Sequence, residues 1–282
     1  NMSGRDELAP ARMTPSRRGT PAELIDALPR VLWVDVVAQI DTMTEQVGGF
    51  QAQMKKLPRA LRELAAYEEL RKVIDDFLEI LPLMQLLSNP AMRPRHWTEL
   101  QELCKVTYNM KADSFTLSDL LEADLLANID DIEELANGSV KEFQIEVKLA
   151  QIVEQWEDSV FEFNNYKNRG PVLLSGVADV MEANEETQMA LGGMMSSRYI
   201  VPFKDEVSGW VQKMSTVAEI IEQWVVVQNY WMYMEAVFTS GDIAKQLPQE
   251  AKRFSAIDKN YMKVMTKAFE TPNVVQCCCG ND

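Results

Sequence analysis

Histidine is almost missing from this sequence: His96 is the only one in 282 residues. That excludes paired-histidine zinc and di-iron sites, and any Ser-His-Asp or Cys-His scheme has a single candidate base. His96 stands between Arg95 and Trp97 just ahead of an expected helix, where packing or hydrogen bonding at the helix start outweighs catalysis. Cysteine is scarce as well: Cys104 stands alone, and Cys277, Cys278 and Cys279 are consecutive. Adjacent cysteines build no disulfide framework and have the wrong spacing for zinc. They read as free thiols at an exposed end, which implies a reducing compartment, the cytosol. No glycine is followed by lysine, so there is no GxxxxGK phosphate loop. No run approaches the roughly 18 uncharged apolar residues of a membrane span, and Asn1 to Arg18 has no apolar core of a signal peptide. Basic residues are outnumbered, 28 Lys and Arg against 43 Asp and Glu, for a net charge of −15. Such a surface repels phosphate backbones, and no basic run with interleaved aromatics overrides it, so neither nucleic acid nor membrane is an expected partner.

What is present is the composition of a folded protein, 46% apolar and 25% charged. Helix signals dominate. Thr20-Pro21-Ala22-Glu23 is a capping box with proline at the first helical position, opening a helix to about Lys56 with Pro29 early and a weak point at Gly48-Gly49. A second helix is expected from Ala60 to about Leu81, with Leu61, Leu64, Ala65, Leu70, Val73, Ile74 and Phe77 as its apolar stripe. Pro82 should bend the chain before a break at Ser88-Asn89-Pro90. Thr98-Glu99-Leu100-Gln101 predicts a helix to about Tyr108, followed by a polar break over Asn109 to Ser114 and a short helix around Leu117–Leu126. Ile129 to Ala136 should end at Asn137-Gly138, and Ser139-Val140-Lys141-Glu142 should start the next helix, to about Trp156.

The period then changes. Val160, Phe161, Phe163 and Tyr166 are β-branched or aromatic, Lys167-Asn168-Arg169-Gly170 is a turn signal, and Pro171 to Leu174 is a short apolar run; together they predict one hairpin near residues 158–175. Helix resumes from Val177 to Met195. Trp210, Met214, Val217, Ile221, Trp224, Gln228 and Trp231 then follow at alternating spacings of four and three, a coiled-coil-like seam that Ile220, Val225 and Val227 should widen. That helix should stop before Ser240-Gly241-Asp242. A last one follows Pro248, carrying Phe254, Ile257, Tyr261, Val264, Met265 and Ala268 until Thr271-Pro272. The fold class is mainly α, an elongated multi-helix bundle rod with one small β-hairpin.

Candidate sites fare poorly against plainer readings. The acidic group Asp119, Glu122, Asp124, Asp130, Asp131, Glu133 and Glu134 lacks the alternating ligands and central glycine of a calcium loop and reads as a solvated face. Glu182, Glu185 and Glu186 have no companion histidine. Gly48-Gly49 and Gly192-Gly193 lack a dinucleotide fingerprint and read as helix ends or kinks. The sequon Asn137-Gly138-Ser139 has no secretory context. Met194-Met195 and the group Tyr230, Trp231 and Tyr233 read as core or interhelix contacts. No catalytic, metal or cofactor-binding residue is assigned, and no cofactor is expected.

Several runs nevertheless resemble a known family in order and spacing. Met92-Arg93-Pro94-Arg95-His96-Trp97, preceded by Tyr67-Glu68-Glu69-Leu70 and Leu81-Pro82-Leu83, is similar to the start of the central linker helices of dynein heavy chains. Ser197-Arg198-Tyr199-Ile200-Val201-Pro202-Phe203, Val227 to Glu235 with Trp231, Gly241-Asp242-Ile243, Gln246-Leu247-Pro248 and Ala251 to Lys259 with Phe254 resemble the same family. The likeness covers about Leu57 to Gln276, more loosely back to Leu32, and Gly241-Asp242-Ile243 looks axonemal rather than cytoplasmic.

The resemblance implies a non-catalytic lever of a motor. In the family, a mostly helical linker broken by a small hairpin lies across an AAA+ ring and bends with the nucleotide cycle. It implies the ring of the same heavy chain as partner, with other dynein subunits possible, no direct microtubule contact, and a place in the cytoskeleton of a cilium or flagellum. On this reading residues 1–19 are a flexible arm, 20–90 the N-terminal linker helices, 91–276 the central helical core and 277–282 a truncated end. Arg95, His96, Trp97, Arg198, Pro202, Trp231, Gly241, Asp242, Pro248 and Phe254 are its signature and packing residues. Hinges are expected at Pro90, Asn109, Gly192, Gly193 and Gly241, where small or polar residues interrupt packing. The rival class is an acidic helical scaffold or tethering bundle that binds partner chains.

Overall fold

The computed structural model describes residues 32–107, 115–121, 125–239 and 241–280. The expected arm, the Thr20 capping box, Pro29, Asn109 and Ser240 lie outside them. Among the described residues the chain is mainly α with one two-stranded antiparallel sheet. It divides into two compact units, Asn1–Val140 and Lys141–Asp282.

In the first unit, α1 (Trp33–Val37) and α2 (Ile40–Met54) lead through α3 (Arg59–Arg62) to α4 (Ala65–Leu87). Helices α5 (Pro94–Cys104) and α6 (Leu117–Leu121) follow, then a 3-10 turn at Leu125–Asn128. One core joins Val36, Ile40 and Val47 to Ile74, Leu81 and Met84. Within it Trp33, Trp97 and Phe115 meet edge to face, with ring centroids 5.7 to 6.3 Å apart. The Trp33 amide donates to the Phe115 carbonyl at 2.8 Å, beside the bridge Leu32–Thr116. The boundary expected at residue 90 therefore lies inside this core.

Several sequence expectations are corrected here. Gly48-Gly49 does not interrupt α2, which runs on to Met54. Leu61, Leu64 and Val73 are exposed instead of forming a stripe with Ile74 and Phe77. The reason is a break before α4: Leu64 is extended, and the Arg62 guanidinium donates to the carbonyls of Lys55 and Leu57, closing the end of α2. Pro82 sits within α4, which continues to Leu87 because Leu81, Leu83, Met84 and Leu87 are all buried around it. Thr98 is no cap; its hydroxyl bonds back to the Pro94 carbonyl inside α5. That helix ends at Cys104, where Lys105 turns left-handed.

The boundary between units falls within α7 (Ile129–Asp158), a single helix where two were expected. Asn137-Gly138 does not stop it. Ser139 is fully buried and donates to the Ala136 carbonyl, so it continues the helix instead of capping a new one.

The second unit adds β1 (Glu162–Asn165), β2 (Pro171–Ser175) and α8 (Val177–Met195). Next come a 3-10 segment, Arg198–Phe203, and α9 (Lys204–Thr239). The short α10 (Asp242–Gln246), α11 (Pro248–Glu270) and α12 (Val274–Cys279) complete it. The hairpin pairs Glu162 with Ser175 and Phe163 with Leu174, as expected from its composition. Helix α9 buries Val207, Trp210, Met214, Val217, Ile221, Gln228, Trp231 and Glu235, so the seam extends one step beyond each expected end. Val227, Tyr230 and Tyr233 are exposed, which corrects their reading as core. So are Ile257 and Val264 of α11, while Met195 is exposed next to buried Met194. Against the first half of α9 pack Leu149 and Trp156 of α7 and Leu191 of α8. Trp156 donates its indole N–H to Thr187, and Asn184, fully buried, donates to the Met214 carbonyl.

Trp156→Ala removes a fully buried ring and leaves Thr187 without its donor. It should cost about 3–5 kcal/mol, read as a lower urea midpoint of the second unit. A loss under about 1 kcal/mol would mean that Trp156 is not in this core.

Candidate functional site

The densest polar construction in the second unit joins the hairpin to α9 and α11. It starts from an oddity of the α9 seam: the next core position after Trp231 is a glutamate. Glu235 is 3% exposed, and an isolated carboxylate cannot be kept there in its charged form without partners. The hairpin turn supplies them. Lys167 pairs with Glu235 Oε2, the Tyr166 hydroxyl donates to the same oxygen at 3.1 Å, and Arg169 Nε lies 3.6 Å from Oε1. Lys167 takes a left-handed φ of 51° and Gly170 one of 82°, so the chain reverses tightly at the turn that carries both cations.

Arg169 also pairs with Asp258 of α11, and the Trp231 indole N–H donates to that carboxylate at 3.0 Å. Trp231 stacks on Tyr261 at 4.2 Å and 13°, and the Arg169 guanidinium lies 5.5 Å from the Trp231 ring. The hydrogen bond with Glu235 pushes the Lys167 ammonium above its ordinary pKa, and that with Asp258 does the same for Arg169. Both side chains are held in their charged forms.

Midway along the hairpin the free edge of β2 is covered by side chains. Gln228 accepts from the Leu174 amide at 2.7 Å and returns a bond to its carbonyl at 3.1 Å, as a neighbouring strand would. The Tyr261 hydroxyl donates to the Val172 carbonyl at 2.9 Å. At the base, the Phe161 amide donates to the Pro272 carbonyl at 2.7 Å and the Val274 amide to Ser159 at 3.0 Å. The hairpin is thus held at three levels: ionic at its turn, by side chains in the middle, by backbone at its base.

Of the signature residues, Trp231 is the one that enters this assembly; Phe254 is buried nearby and stacks on Phe238 at 5.5 Å. His96 is 3% exposed at the start of α5, and its Nδ1 accepts from the Arg93 amide at 3.0 Å, so it closes a helix end. Trp97 is in the first core. Arg198 lies over the Tyr199 ring at 4.7 Å, Pro202 is in the 3-10 segment, Asp242 opens α10 and Pro248 opens α11. Arg95 is in the first turn of α5. Sequence reading missed Glu235, Lys167, Arg169 and Asp258 as a group. The available signal was a charged residue at a seam position, which demands a partner, together with two cations in the predicted turn.

Between α9, α11 and α12 an open groove of about 1010 Å³ is lined by Ile220, Val227, Tyr230, Ile257, Val264 and Cys277 among others. Its reactive groups are quiet. Burial pushes the Cys277 thiol and the Tyr261 phenol above their ordinary values, so neither is ionised at neutral pH. Among the described residues no group of three or more His, Cys, Asp or Glu side chains could hold a metal ion. The cysteine run is not an exposed end: it lies in α12, with Cys278 buried and Cys279 exposed.

Burial raises the Cys278 thiol from 9.0 to about 12. The unfolded chain then loses this proton before the folded one, so the stabilisation is complete below about pH 9 and disappears as pH climbs towards 12. Alkylation at pH 8 should modify Cys279 first and Cys278 only on unfolding, and Cys278→Ala should flatten the fall in stability above pH 9. Equal labelling of the two would contradict the packing of α12.

Residues 22–282 match the family model described as dynein heavy chain, N-terminal region 2. The chain is 53% identical over 252 residues to the dynein gamma chain of the flagellar outer arm of Chlamydomonas reinhardtii, covering 89% of this chain and 6% of that protein. It is 44% identical over 254 residues to dynein axonemal heavy chain 8 of Mus musculus, covering 89% and 5%. With dynein axonemal heavy chain 5 of Mus musculus it shares 43% over 262 residues, covering 92% and 6%. The chain therefore spans only about a twentieth of the length of these relatives. With a mainly helical fold, one hairpin and a family match over nearly all its length, the chain belongs to the dynein heavy chains, in their N-terminal region 2.

Proposed function

We propose that this chain is a non-catalytic mechanical linker segment of an axonemal dynein heavy chain. It couples the ATP cycle of an AAA+ ring, carried elsewhere in the heavy chain, to movement along microtubules in a cilium or flagellum. The observation that carries this reading is α9. It is one 36-residue helix, about 54 Å long at the standard rise, with a core seam running from Val207 to Glu235. A helix supported along its length resists bending, and transmitting displacement requires that property. The similarity to flagellar and axonemal dynein heavy chains supports the location.

Compliance in this reading belongs to the small-residue interruptions. Gly241 takes a φ of 84° between α9 and α10, while Gly192 and Gly193 do not interrupt α8, which runs on to Met195, and would contribute only through their low helix propensity in its last turn. Pro90 lies in the turn after α4, and Asn109 is the remaining proposed hinge. The rival reading, an acidic scaffold for partner chains, draws its support from the net charge of −15 and the open apolar groove.

The two part company in the intact heavy chain. Removing residues 22–282 should leave nucleotide binding and basal ATP turnover in place and abolish microtubule gliding. Met214→Gly with Val217→Gly, which softens α9 without removing it, should slow gliding more than turnover. Gliding that survives the deletion rejects the lever, and loss of complex assembly with normal gliding per motor identifies a scaffold.

A further inference from the structure

We infer that the hairpin is a latch that opens from its turn. Tyr166 to Gly170 unclasp from Glu235 and Asp258 while the base of the hairpin stays attached, which removes the ionic bridge that Arg169 makes between α9 and α11. The inference stands on the second unit alone and does not depend on the lever reading.

The three levels of attachment differ in kind. The base is held by uncharged hydrogen bonds: the backbone amides of Phe161 and Val274 donate to the Pro272 and Ser159 carbonyls, and the Asn273 side-chain amide donates to the carbonyls of Trp156, Glu157 and Ser159 at 3.0 to 3.1 Å. Phe161 itself is buried and meets Trp224 edge to face at 5.6 Å. Those contacts are insensitive to ions. The turn has the opposite character. Its side chains reach α9 and α11 through charge pairs, and the Lys167 and Arg169 side chains remain 50% and 26% exposed, open to water and counterions. Salt at physiological strength screens exposed charges beyond about 8 Å and weakens such half-exposed pairs at closer range.

Within the turn itself only the bonds from the Tyr166 amide to Gly170 and from the Arg169 amide to Tyr166 hold the backbone. The attachment is also asymmetric between the partners. Glu235 and Asp258 sit on long helices, whereas Lys167 and Arg169 sit on a five-residue connection between short strands. When the pairs break, the turn is the part that moves. Arg169 is the bridge, since it alone contacts carboxylates on both α9 and α11. Its departure removes the ionic bridge and leaves the Trp231–Asp258 hydrogen bond, the Trp231–Tyr261 and Phe238–Phe254 stacks and the Tyr261–Gln228 contact to hold α11 on α9. Native-state opening of such a segment, below the free energy of global unfolding, is how proteins release a local unit without losing the fold.

Amide hydrogen exchange on the 282-residue chain tests this directly, with residues 166–170 compared against Phe161 and Val274. Raising sodium chloride from about 0.05 to 0.5 M should speed exchange in the turn by about tenfold or more and leave the base unchanged. Glu235→Gln should speed exchange in the turn already at low salt, and the salt effect that remains should be the smaller one of the Arg169–Asp258 pair. If Glu235→Gln fails to fold, Lys167→Gln at the exposed turn gives the same reading without touching the helices. Arg169→Gln should additionally speed exchange in the first turns of α11. Exchange of turn and base at a single common rate, or a turn indifferent both to salt and to these substitutions, would overturn the latch.

Discussion

Helix α9 is the constraint around which the second unit is organised. One seam, stepping four and three residues from Val207 to Glu235, has to be buried along its full length. No single neighbour does this. Helices α7, α8 and α12 cover the first half, where the seam residues are Val, Trp, Met, Val and Ile, while the hairpin and α11 cover the second, where they are Gln, Trp and Glu. The change in chemistry along one face explains the change in partner. Apolar seam residues accept any helix with a matching stripe, whereas Gln228 and Glu235 require hydrogen-bonding groups at fixed positions. A strand edge and a cationic turn provide those where another helix would not.

The hairpin therefore follows from the helix it rests on. A two-stranded ribbon is marginal by itself. Here it is stabilised because its free edge is occupied by Gln228 and Tyr261 and its buried side chains, Val172 and Leu174, point into two neighbouring clusters. The burial of Glu235 is offset by Lys167, Arg169 and Tyr166 together, and losing part of that set leaves a charge stranded in a nonpolar setting. The first unit has no comparable polar centre among its described residues. Its centre is the Trp33, Trp97 and Phe115 cluster, held by ring contacts and by the backbone bond from Trp33 to Phe115.

What the sequence revealed depended on whether a local signal met a local cause. The span Val177–Met195, the α9 seam and the hairpin were legible because periodicity, turn residues and burial agreed within a few positions. Asn137-Gly138 misled because the usual stop signal lost to burial on either side of it, with Leu135 and Ala136 before and Ile145 and Leu149 after. Thr98 and Ser139 carried the pattern of a cap, yet both hydroxyls bond back within a helix already begun. Leu61 and Leu64 failed for a reason several residues away, the capture of Arg62 by the end of α2. The polar assembly was hidden because its bonded partners lie up to 89 residues apart, and no local window along the chain contains Arg169 and Asp258 together. The local signals, a glutamate in register with the tryptophans of α9 and two cations in the turn, were not joined because the expected seam ended at Trp231.

Asn273 carries a consequence for the order in which the molecule is made. Its side-chain amide satisfies the terminal carbonyls of α7, 114 to 117 residues earlier in the chain. During synthesis that helix end must wait for water or transient partners to serve those carbonyls until the distant asparagine leaves the ribosome. The base of the hairpin is thus closed last, after α8 and the first half of α9 already have α7 to pack against; until then the end of α7 is the part left open to water.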